Sequence, residues 1–142
     1  MFFFQSPLAD FIVPGNDMAV IDVLWADWSP GHDAAADLAL VKQSLRDPAN
    51  LTAAIGYYRA TLGDGMKDPA LDAAQAATQA VPPQPTLYLH GRDDGCIGVD
   101  VVAHMAATVP PHVTIEYIEA AGHFLQLEQP AAVNERIVTF IR

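Results

Sequence analysis

The stretch of sequence that decides the fold begins with PTLYLHGRDDGCIG (residues 85–98) and ends with AGHFLQLEQP (residues 121–130). Residues 86–90 form a short, nearly all-apolar run that ends at Gly91, as expected of a strand inside a parallel sheet. Residues 113–118 form a second such run, and residues 101–106 between them have an apolar stripe at helical spacing. A last helix begins at Pro130. The order strand, helix, strand, helix predicts a βαβα unit with parallel strands at about 86–90 and 113–118. The apolar residues of the last helix that we expect to pack inward are Val133, Ile137, Phe140 and Ile141.

Asp94 and His123 are the two residues of this stretch that can act together chemically. Each follows one of the predicted strands, and the loops after neighbouring parallel strands lie at the same edge of a sheet. A carboxylate that accepts a hydrogen bond from one imidazole nitrogen orients the ring and leaves the other nitrogen to act as a base. The sequence therefore predicts a carboxylate–imidazole pair at this edge.

Residues 1–80 have a different pattern, in which apolar residues recur at helical spacing. Helices are predicted from Asn16 or Asp17, from Asp33 and from Pro48, each ended by a Pro or Gly signal. The last of them contains LTAAIGYYRATL (residues 51–62), in which Tyr58 faces inward. Residues 63–85 are interpreted as a linker with a short helix near 71–80. We therefore divide the chain into a helical region at 1–80 and an α/β region at 81–142.

Composition limits the partners and cofactors that we expect. Seventeen acidic and seven basic residues give a net charge of −10, which disfavours binding to nucleic acid or to anionic membranes. The apolar N-terminal residues lack a basic region and are interrupted by Pro7 and Asp10, so neither a secretion signal nor a membrane span is expected. A single cysteine, Cys96, favours a cytoplasmic protein. The histidines lack zinc-ligand spacing, and we expect no metal and no cofactor.

The motifs around Asp94 and His123 resemble the end of an α/β-hydrolase. In that superfamily the acid of the catalytic triad follows the penultimate strand in a G-x-x-D pattern, and the catalytic His stands in a G-H-x motif. Counted from Gly91, the acid position is Asp94, with Asp93 as the near alternative. The resemblance implies the C-terminal portion of an α/β-hydrolase fold, with residues 1–80 as a helical lid and 81–142 as part of the core.

Two upstream motifs resemble the lid of the epoxide-hydrolase and dehalogenase branch of the superfamily: FFFQSP (residues 2–7) and IGYYRA (residues 55–60). In epoxide hydrolases, a Tyr in a [WY]-Y-R motif of the lid donates a hydrogen bond to the epoxide oxygen, and this position is Tyr58. The resemblance implies hydrolysis of a small apolar epoxide through a covalent ester intermediate. A Ser esterase acting on an ester substrate and a dehalogenase are the alternatives.

Two parts of the family pattern are absent. The superfamily carries its nucleophile in a G-x-[SD]-x-G turn ahead of the lid, and no such turn precedes the lid-like residues here. A second lid Tyr would stand in Y-x-x-x-[FW]-Q, which counted back from Gln5 falls directly before Met1. We therefore expect that the sequence starts inside the lid of a longer parent and that the chain alone is inactive. Unpaired sheet edges would lead it to self-associate or to bind a complementary N-terminal half.

Two further interpretations stay open. Cys96 follows Gly95 at a predicted helix start, where a thiolate could be stabilised and could attack a substrate with His123 as base. A buried apolar role for Cys96 is the alternative. The chain could also be a non-catalytic, lid-like fragment with a binding or regulatory role.

Overall fold

The structure, a computed structural model, describes residues 2–142 and divides into two compact units. The first unit comprises the residues up to Val23 together with Asp33–Ala80, and the second comprises Leu24–His32 together with Val81–Arg142. The α-helices are α1 (Ala9–Ile12), α2 (Ala19–Trp28), α3 (Ala35–Leu45), α4 (Pro48–Leu62), α5 (Asp72–Ala77), α6 (Val99–Ala106), α7 (Leu125–Glu128) and α8 (Pro130–Phe140). The strands are β1 (Thr86–Gly91) and β2 (Val113–Ile118), and short 3-10 turns occur at Phe2–Gln5, Asn16–Met18 and Pro69–Leu71.

The first unit is helical, and α4 is its longest element. Asp47 caps α4 by accepting a hydrogen bond from the Ala49 N–H at 2.8 Å, and Pro48 occupies the first helical position, where its fixed φ is favourable. Arg59 of α4 forms an ion pair with Asp10 of α1 at 3.0 Å. The buried apolar residues of this unit are Phe4, Ala9, Val13, Met18, Ile21 and Ile55.

The second unit contains the βαβα arrangement that the sequence predicts. β1 and β2 are parallel and are paired in register over their whole lengths. α8 packs against β1, where Val133 joins Ile118 and Ala121 in a buried apolar cluster. The predicted fold class and the two predicted parallel strands are thereby confirmed.

The prediction for the apolar face of α8 is correct only at Val133. Ile137, Phe140 and Ile141 are exposed, the last of them by 72%. The described sheet has two strands, and strands in a sheet are about 5 Å apart, so the sheet is no wider than the roughly 10 Å diameter of one helix and leaves part of the apolar face of α8 uncovered. For the same reason residues 86–89 of β1 are half-buried, although an all-apolar run predicts burial on both faces.

The helix predicted from Asn16 or Asp17 begins as a regular α-helix only at Ala19. Asn16, Asp17 and Met18 have φ angles of 47°, 50° and 59°, in the left-handed region, and form a 3-10 turn before α2. This conformation costs roughly 1–2 kcal/mol per residue. Met18 is buried in the first unit, which gives a physical reason for the turn to persist.

The region interpreted as a linker contains α5 at Asp72–Ala77, within the predicted range 71–80, and none of the residues of α5 is buried. Helix α2 continues across the division between the units, because its residues from Leu24 onward belong to the second unit. Among the helices of residues 2–142, none is both long enough and apolar enough to cross a lipid bilayer.

Candidate active site

The edge formed by the carboxyl ends of β1 and β2 carries the predicted pair. The last residues of the two strands are paired with each other, so the loops that follow leave the sheet side by side. Asp94 lies in the first loop and His123 in the second. A hydrogen bond from the Asp93 N–H to the Ala121 carbonyl, at 2.9 Å, joins the two loops directly.

Asp94 holds the imidazole of His123 through a buried carboxylate. The Nδ1 atom of His123 lies 3.0 Å from Oδ2 of Asp94 and 3.2 Å from Oδ1. Oδ1 also accepts hydrogen bonds from the backbone N–H groups of Cys96 (2.8 Å) and Ile97 (2.9 Å). The Asp94 side chain is 4% exposed and that of His123 is 29% exposed, so these N–H donors compensate for burial of the carboxylate. Because a carboxylate can only accept, we assign the proton to Nδ1, which leaves Nε2 of the neutral ring with the lone pair of a base.

A second imidazole, that of His90, supports the Asp94 loop from the interior. Its Nε2 atom lies 3.0 Å from the Ile97 carbonyl oxygen, which can only accept, so Nε2 carries a proton. The same Nε2 atom is 3.8 Å from Oδ2 of Asp94, and Nδ1 is 3.2 Å from the Tyr88 hydroxyl. Burial, and after it the charge of Asp94, raises the pKa of Tyr88 above its ordinary value. Tyr88 is therefore a neutral hydrogen-bonding group at physiological pH.

The end of α2 sets the spacing between the two loops. The Trp28 carbonyl accepts hydrogen bonds from the Gly95 N–H (3.2 Å) and from the His123 N–H (2.9 Å). A side chain at Gly95 would overlap the Asp27 carbonyl oxygen, so only glycine allows this approach. The Trp28 ring also meets the His123 imidazole at an interplanar angle of 65°, with 5.0 Å between centroids. One backbone carbonyl thus connects the Asp94 loop to His123.

Ser29 and Glu128 are two residues of this region that the sequence motifs do not identify. Ser29 is buried, and its hydroxyl donates a hydrogen bond to Oε1 of Glu128 at 2.8 Å. In the sequence, Ser29 precedes Pro30-Gly31, which indicates only the end of a helix. Glu128 lies beside Gln129-Pro130, which indicates only the start of one. No local signal relates two residues that are 99 positions apart.

Tyr58, the third predicted site residue, lies on α4 in the first unit. Its half-buried ring stacks on Phe4, with 4.8 Å between centroids and an interplanar angle of 26°. The neighbouring Tyr57 is 70% exposed, so the helix presents the two tyrosines differently, as the helical spacing predicts. Asp94 and His123 are brought together within the second unit, and Tyr58 belongs to the other unit.

The weaker candidates have less suitable surroundings. Asp93 is exposed, and the carboxylate that contacts His123 is that of Asp94. The sequence of Gly91–Gly95 also fits the G-x-D-x-G pattern. A nucleophile turn leads from a strand directly into a helix, whereas this segment leads into a loop, because α6 begins only at Val99. Burial, and after it the Asp94 charge, raises the pKa of the Cys96 thiol, which is the opposite of what a reactive thiolate requires. Within residues 2–142, no three His, Cys, Asp or Glu side chains are grouped to hold a metal ion.

A solved structure has the same fold over nearly the whole chain. It is the structure of a "putative epoxide hydrolase" from Klebsiella pneumoniae, and the match has a TM-score of 0.74 at 23% sequence identity. The match covers 98% of this chain and 47% of the Klebsiella chain. The chain therefore spans about half the length of that protein, and the likeness establishes the fold.

Two curated relatives from Bacillus subtilis (strain 168) match shorter stretches. Carboxylesterase YbfK is 32% identical over 57 residues, which is 40% of this chain and 19% of that relative. The "uncharacterized carboxylesterase nap" is 38% identical over 56 residues, or 39% of this chain and 19% of that relative. The chain thus matches about a fifth of the length of each relative, and no family model matches it. Taken together with the parallel strands and the two loops at their carboxyl ends, these matches make the chain an α/β-hydrolase-like protein with the fold of the C-terminal part of that superfamily.

Proposed function

We propose that Asp94 and His123 are the acid and the base of a hydrolase catalytic triad, in an enzyme resembling the epoxide hydrolases. The observation that carries the proposal is the 3.0 Å contact between Nδ1 of His123 and the buried Oδ2 of Asp94. This contact uses one ring nitrogen for orientation and leaves the other as a base. The His123 side chain is partly exposed, so water and a substrate can reach it.

The proposed reaction has two steps. A carboxylate nucleophile attacks an epoxide carbon, the carbon–oxygen bond of the epoxide breaks, and an ester forms while the freed oxygen takes a proton. His123 then removes a proton from water as the oxygen of that water attacks the ester carbonyl, which releases the diol and the carboxylate. Asp94 stabilises the imidazolium that forms in this step. The imidazolium loses its proton to restore the proton donor, so the net reaction is addition of water to the epoxide.

Tyr58 is the proposed proton donor to the epoxide oxygen. The role rests on the [WY]-Y-R pattern, which Tyr57, Tyr58 and Arg59 form in this sequence. Replacement of Tyr58 by Phe would remove the hydroxyl and keep the ring that stacks on Phe4. Hydrolysis of an ester needs no such donor to an epoxide oxygen, so this variant separates the two substrate classes.

In this proposal the nucleophile lies outside these 142 residues. No G-x-[SD]-x-G turn precedes the lid-like residues. Two potential nucleophiles near His123 are already held in hydrogen bonds with other side chains. The Asp94 carboxylate binds His123, and the Ser29 hydroxyl binds Glu128. We therefore propose that the chain alone hydrolyses neither epoxides nor esters.

A serine esterase is the second candidate, and the two Bacillus subtilis carboxylesterase relatives favour it. In that case His123 would first take the proton from a Ser hydroxyl, which would attack the ester carbonyl. His123 would then activate water against the acyl-enzyme. Asp94 would have the same orienting role in both reactions.

The test extends the coding sequence in frame upstream of Met1 and assays what we call the extended protein. We expect it to hydrolyse small apolar epoxides, and we expect Tyr58→Phe to lower this rate by about 10²-fold, the usual effect of removing one transition-state donor. An esterase would instead hydrolyse aryl esters, with no loss in Tyr58→Phe. A folded extended protein that hydrolyses neither substrate contradicts both candidates and favours a non-catalytic binding or regulatory role.

We also propose that another polypeptide covers the exposed apolar surface of α8, either a second copy of the chain or the upstream part of its parent. Ile137 and Ile141 support this proposal because they are both apolar and exposed. The proposed location is the cytoplasm, because one free cysteine suits a reducing compartment.

A further inference from the structure

The backbone on both sides of His123 is bound by two side chains, those of Ser29 and Glu128. The N–H of Gly122 donates to Oε2 of Glu128 at 2.9 Å, and the N–H of Phe124 donates to Oγ of Ser29 at 3.2 Å. The Ser29 hydroxyl in turn donates to Oε1 of Glu128 at 2.8 Å. The two side chains thus form one hydrogen-bonded unit that spans the His123 position.

We propose that Ser29 and Glu128 are a positioning pair that fixes His123 against Asp94. The proposal rests on the proposed function for its catalytic meaning, but the geometry of the pair does not depend on that function. A hydrogen bond weakens steeply as its angle falls towards about 120°. A shift of the His123 backbone would therefore weaken the 3.0 Å bond between Nδ1 and Oδ2 of Asp94 before it disturbed the rest of the fold.

The local packing shows that the pair is built into this loop. Ser29 is 2% exposed, and its hydroxyl both donates and accepts. Each carboxylate oxygen of Glu128 accepts one hydrogen bond, so the half-buried carboxylate is satisfied. A Cβ atom at Gly122 would lie 2.6 Å from the Cα atom of Ser29, so glycine lets the two segments approach. Removal of either side chain leaves a shielded N–H group without its partner.

The loop before His123 has a backbone conformation that needs such support. Ala120 has a φ of 52°, in the left-handed region that a residue with a side chain rarely adopts. The Gln129 side chain donates to the Ala120 carbonyl at 3.1 Å, and Glu128 binds Gly122 two residues further on. Strained residues persist where the surrounding contacts hold them. The residues around the start of α8 thus hold the loop, and Glu128 is the one nearest to His123 that also reaches Ser29.

The test follows the His123 Nδ1–H proton by NMR in the 142-residue chain, where no catalytic activity is needed. In Glu128→Ala we expect this proton to exchange with solvent about tenfold faster or more, because a lost buried hydrogen bond has an effect of that size. Glu128→Gln keeps an acceptor for the Gly122 N–H and a group that can bond to Ser29, so the exchange of the His123 Nδ1–H proton should stay within about twofold of wild type. Glu135→Ala, an exposed change of the same kind on α8, is the matched control and should leave the exchange unchanged.

A second measurement separates positioning from a general loss of stability. The backbone amide of Glu116, in the middle of β2, reports opening of the sheet, because the register of the parallel pair directs its N–H group towards β1. The proposal requires that exchange at His123 accelerates in Glu128→Ala while exchange at Glu116 does not. Equal acceleration at both positions, or no acceleration at His123 in a folded variant, would overturn it.

Ser29→Ala decides the question if Glu128→Ala does not fold, since it removes one hydroxyl and keeps the packing. We expect faster His123 Nδ1–H exchange in this variant as well, and unchanged exchange would overturn the proposal. The result is independent of the proposed function. If the extended protein hydrolyses nothing while these exchange rates change as expected, the enzyme assignment fails and the positioning pair stands.

Discussion

Replacement of Asp94 by Asn tests the orientation of His123 with almost no change of shape. The N–H groups of Cys96 and Ile97 both bond to Oδ1, so the Asn oxygen should occupy that position. Its NH2 group then takes the place of Oδ2, opposite Nδ1 of His123. Two N–H groups cannot bond to each other, so the closer contact of Nδ1 is kept only if Nδ1 becomes the acceptor and the ring proton moves to Nε2. The Asn oxygen, at the more distant Oδ1 position 3.2 Å from Nδ1, already accepts the two backbone N–H groups. We therefore expect Asp94→Asn to change the tautomer and to remove the base.

The size of the effect follows from the bonds that end on the carboxylate. Three N–H groups donate to Asp94, from Cys96, Ile97 and His123. A hydrogen bond to a charged group contributes about 1.5–3 kcal/mol and a neutral one about 1 kcal/mol, so we expect the free energy of unfolding to fall by roughly 2–4 kcal/mol. In the extended protein the wrong tautomer should lower kcat by about 10⁴-fold, as the same change does in a serine-protease triad.

Three measurements check this prediction: the 15N chemical shifts of the His123 ring, unfolding in urea, and kcat in the extended protein. Asp93→Asn is the matched control, because this neighbouring carboxyl is exposed. It should leave the tautomer unchanged and alter the free energy of unfolding by less than about 0.5 kcal/mol. The reasoning is refuted if Asp94→Asn keeps the Nδ1–H tautomer and its activity, or if Asp93→Asn has the larger effect.

Three further predictions concern the close approach at α2, the cysteine and the exposed helix. Gly95→Ala should lower the free energy of unfolding by about 1–3 kcal/mol, because its methyl group overlaps the Asp27 carbonyl, whereas Gly98→Ala has open space and should have an effect below about 1 kcal/mol. Equal urea midpoints for the two variants would show that the approach at Gly95 is not tight. The raised pKa of Cys96 means that the folded state holds the thiol proton more tightly than the unfolded state. Cys96 therefore contributes to the free energy of unfolding below the pKa of the thiol in the unfolded chain, about 8.5, and this contribution is lost as the pH rises through the higher pKa of the folded state. The absorbance of the thiolate should have its midpoint above about pH 8.5 in the folded chain, and a lower midpoint would contradict this. The 142-residue chain should sediment as a dimer or larger species and should bind a hydrophobic dye, and Ile141→Lys should reduce both the association and the dye binding. A compact monomer without dye binding would contradict the proposal that another polypeptide covers α8.

The order of elements in the second unit could be predicted because its signals are local. The apolar runs at 86–90 and 113–118 correspond to β1 and β2, and Pro130 marks the start of α8. Asp94 and His123 could be placed at one edge because two parallel strands put their following loops together. α7, at residues 125–128, was not predicted, since four residues hold little periodic information.

The supports of the site could not be predicted, because they join distant parts of the chain without a side-chain pattern. The Trp28 carbonyl binds Gly95 and His123 through backbone groups, which any residue possesses. Ser29 contacts Phe124 at a separation of 95 positions. Burial on α8 was also misjudged at Ile137, because periodicity indicates which face is apolar and does not reveal how wide the facing sheet is.

The most direct test of the central claim is the mass of the extended protein with His123→Gln after reaction with an epoxide. His123 is proposed to act only in the second step, so the ester should form in this variant and should not be hydrolysed. We expect a mass increase equal to one epoxide that persists for hours, while the wild-type protein returns to its own mass. A His123→Gln protein that turns over at the wild-type rate, or that remains folded and never acquires the added mass, would contradict the account.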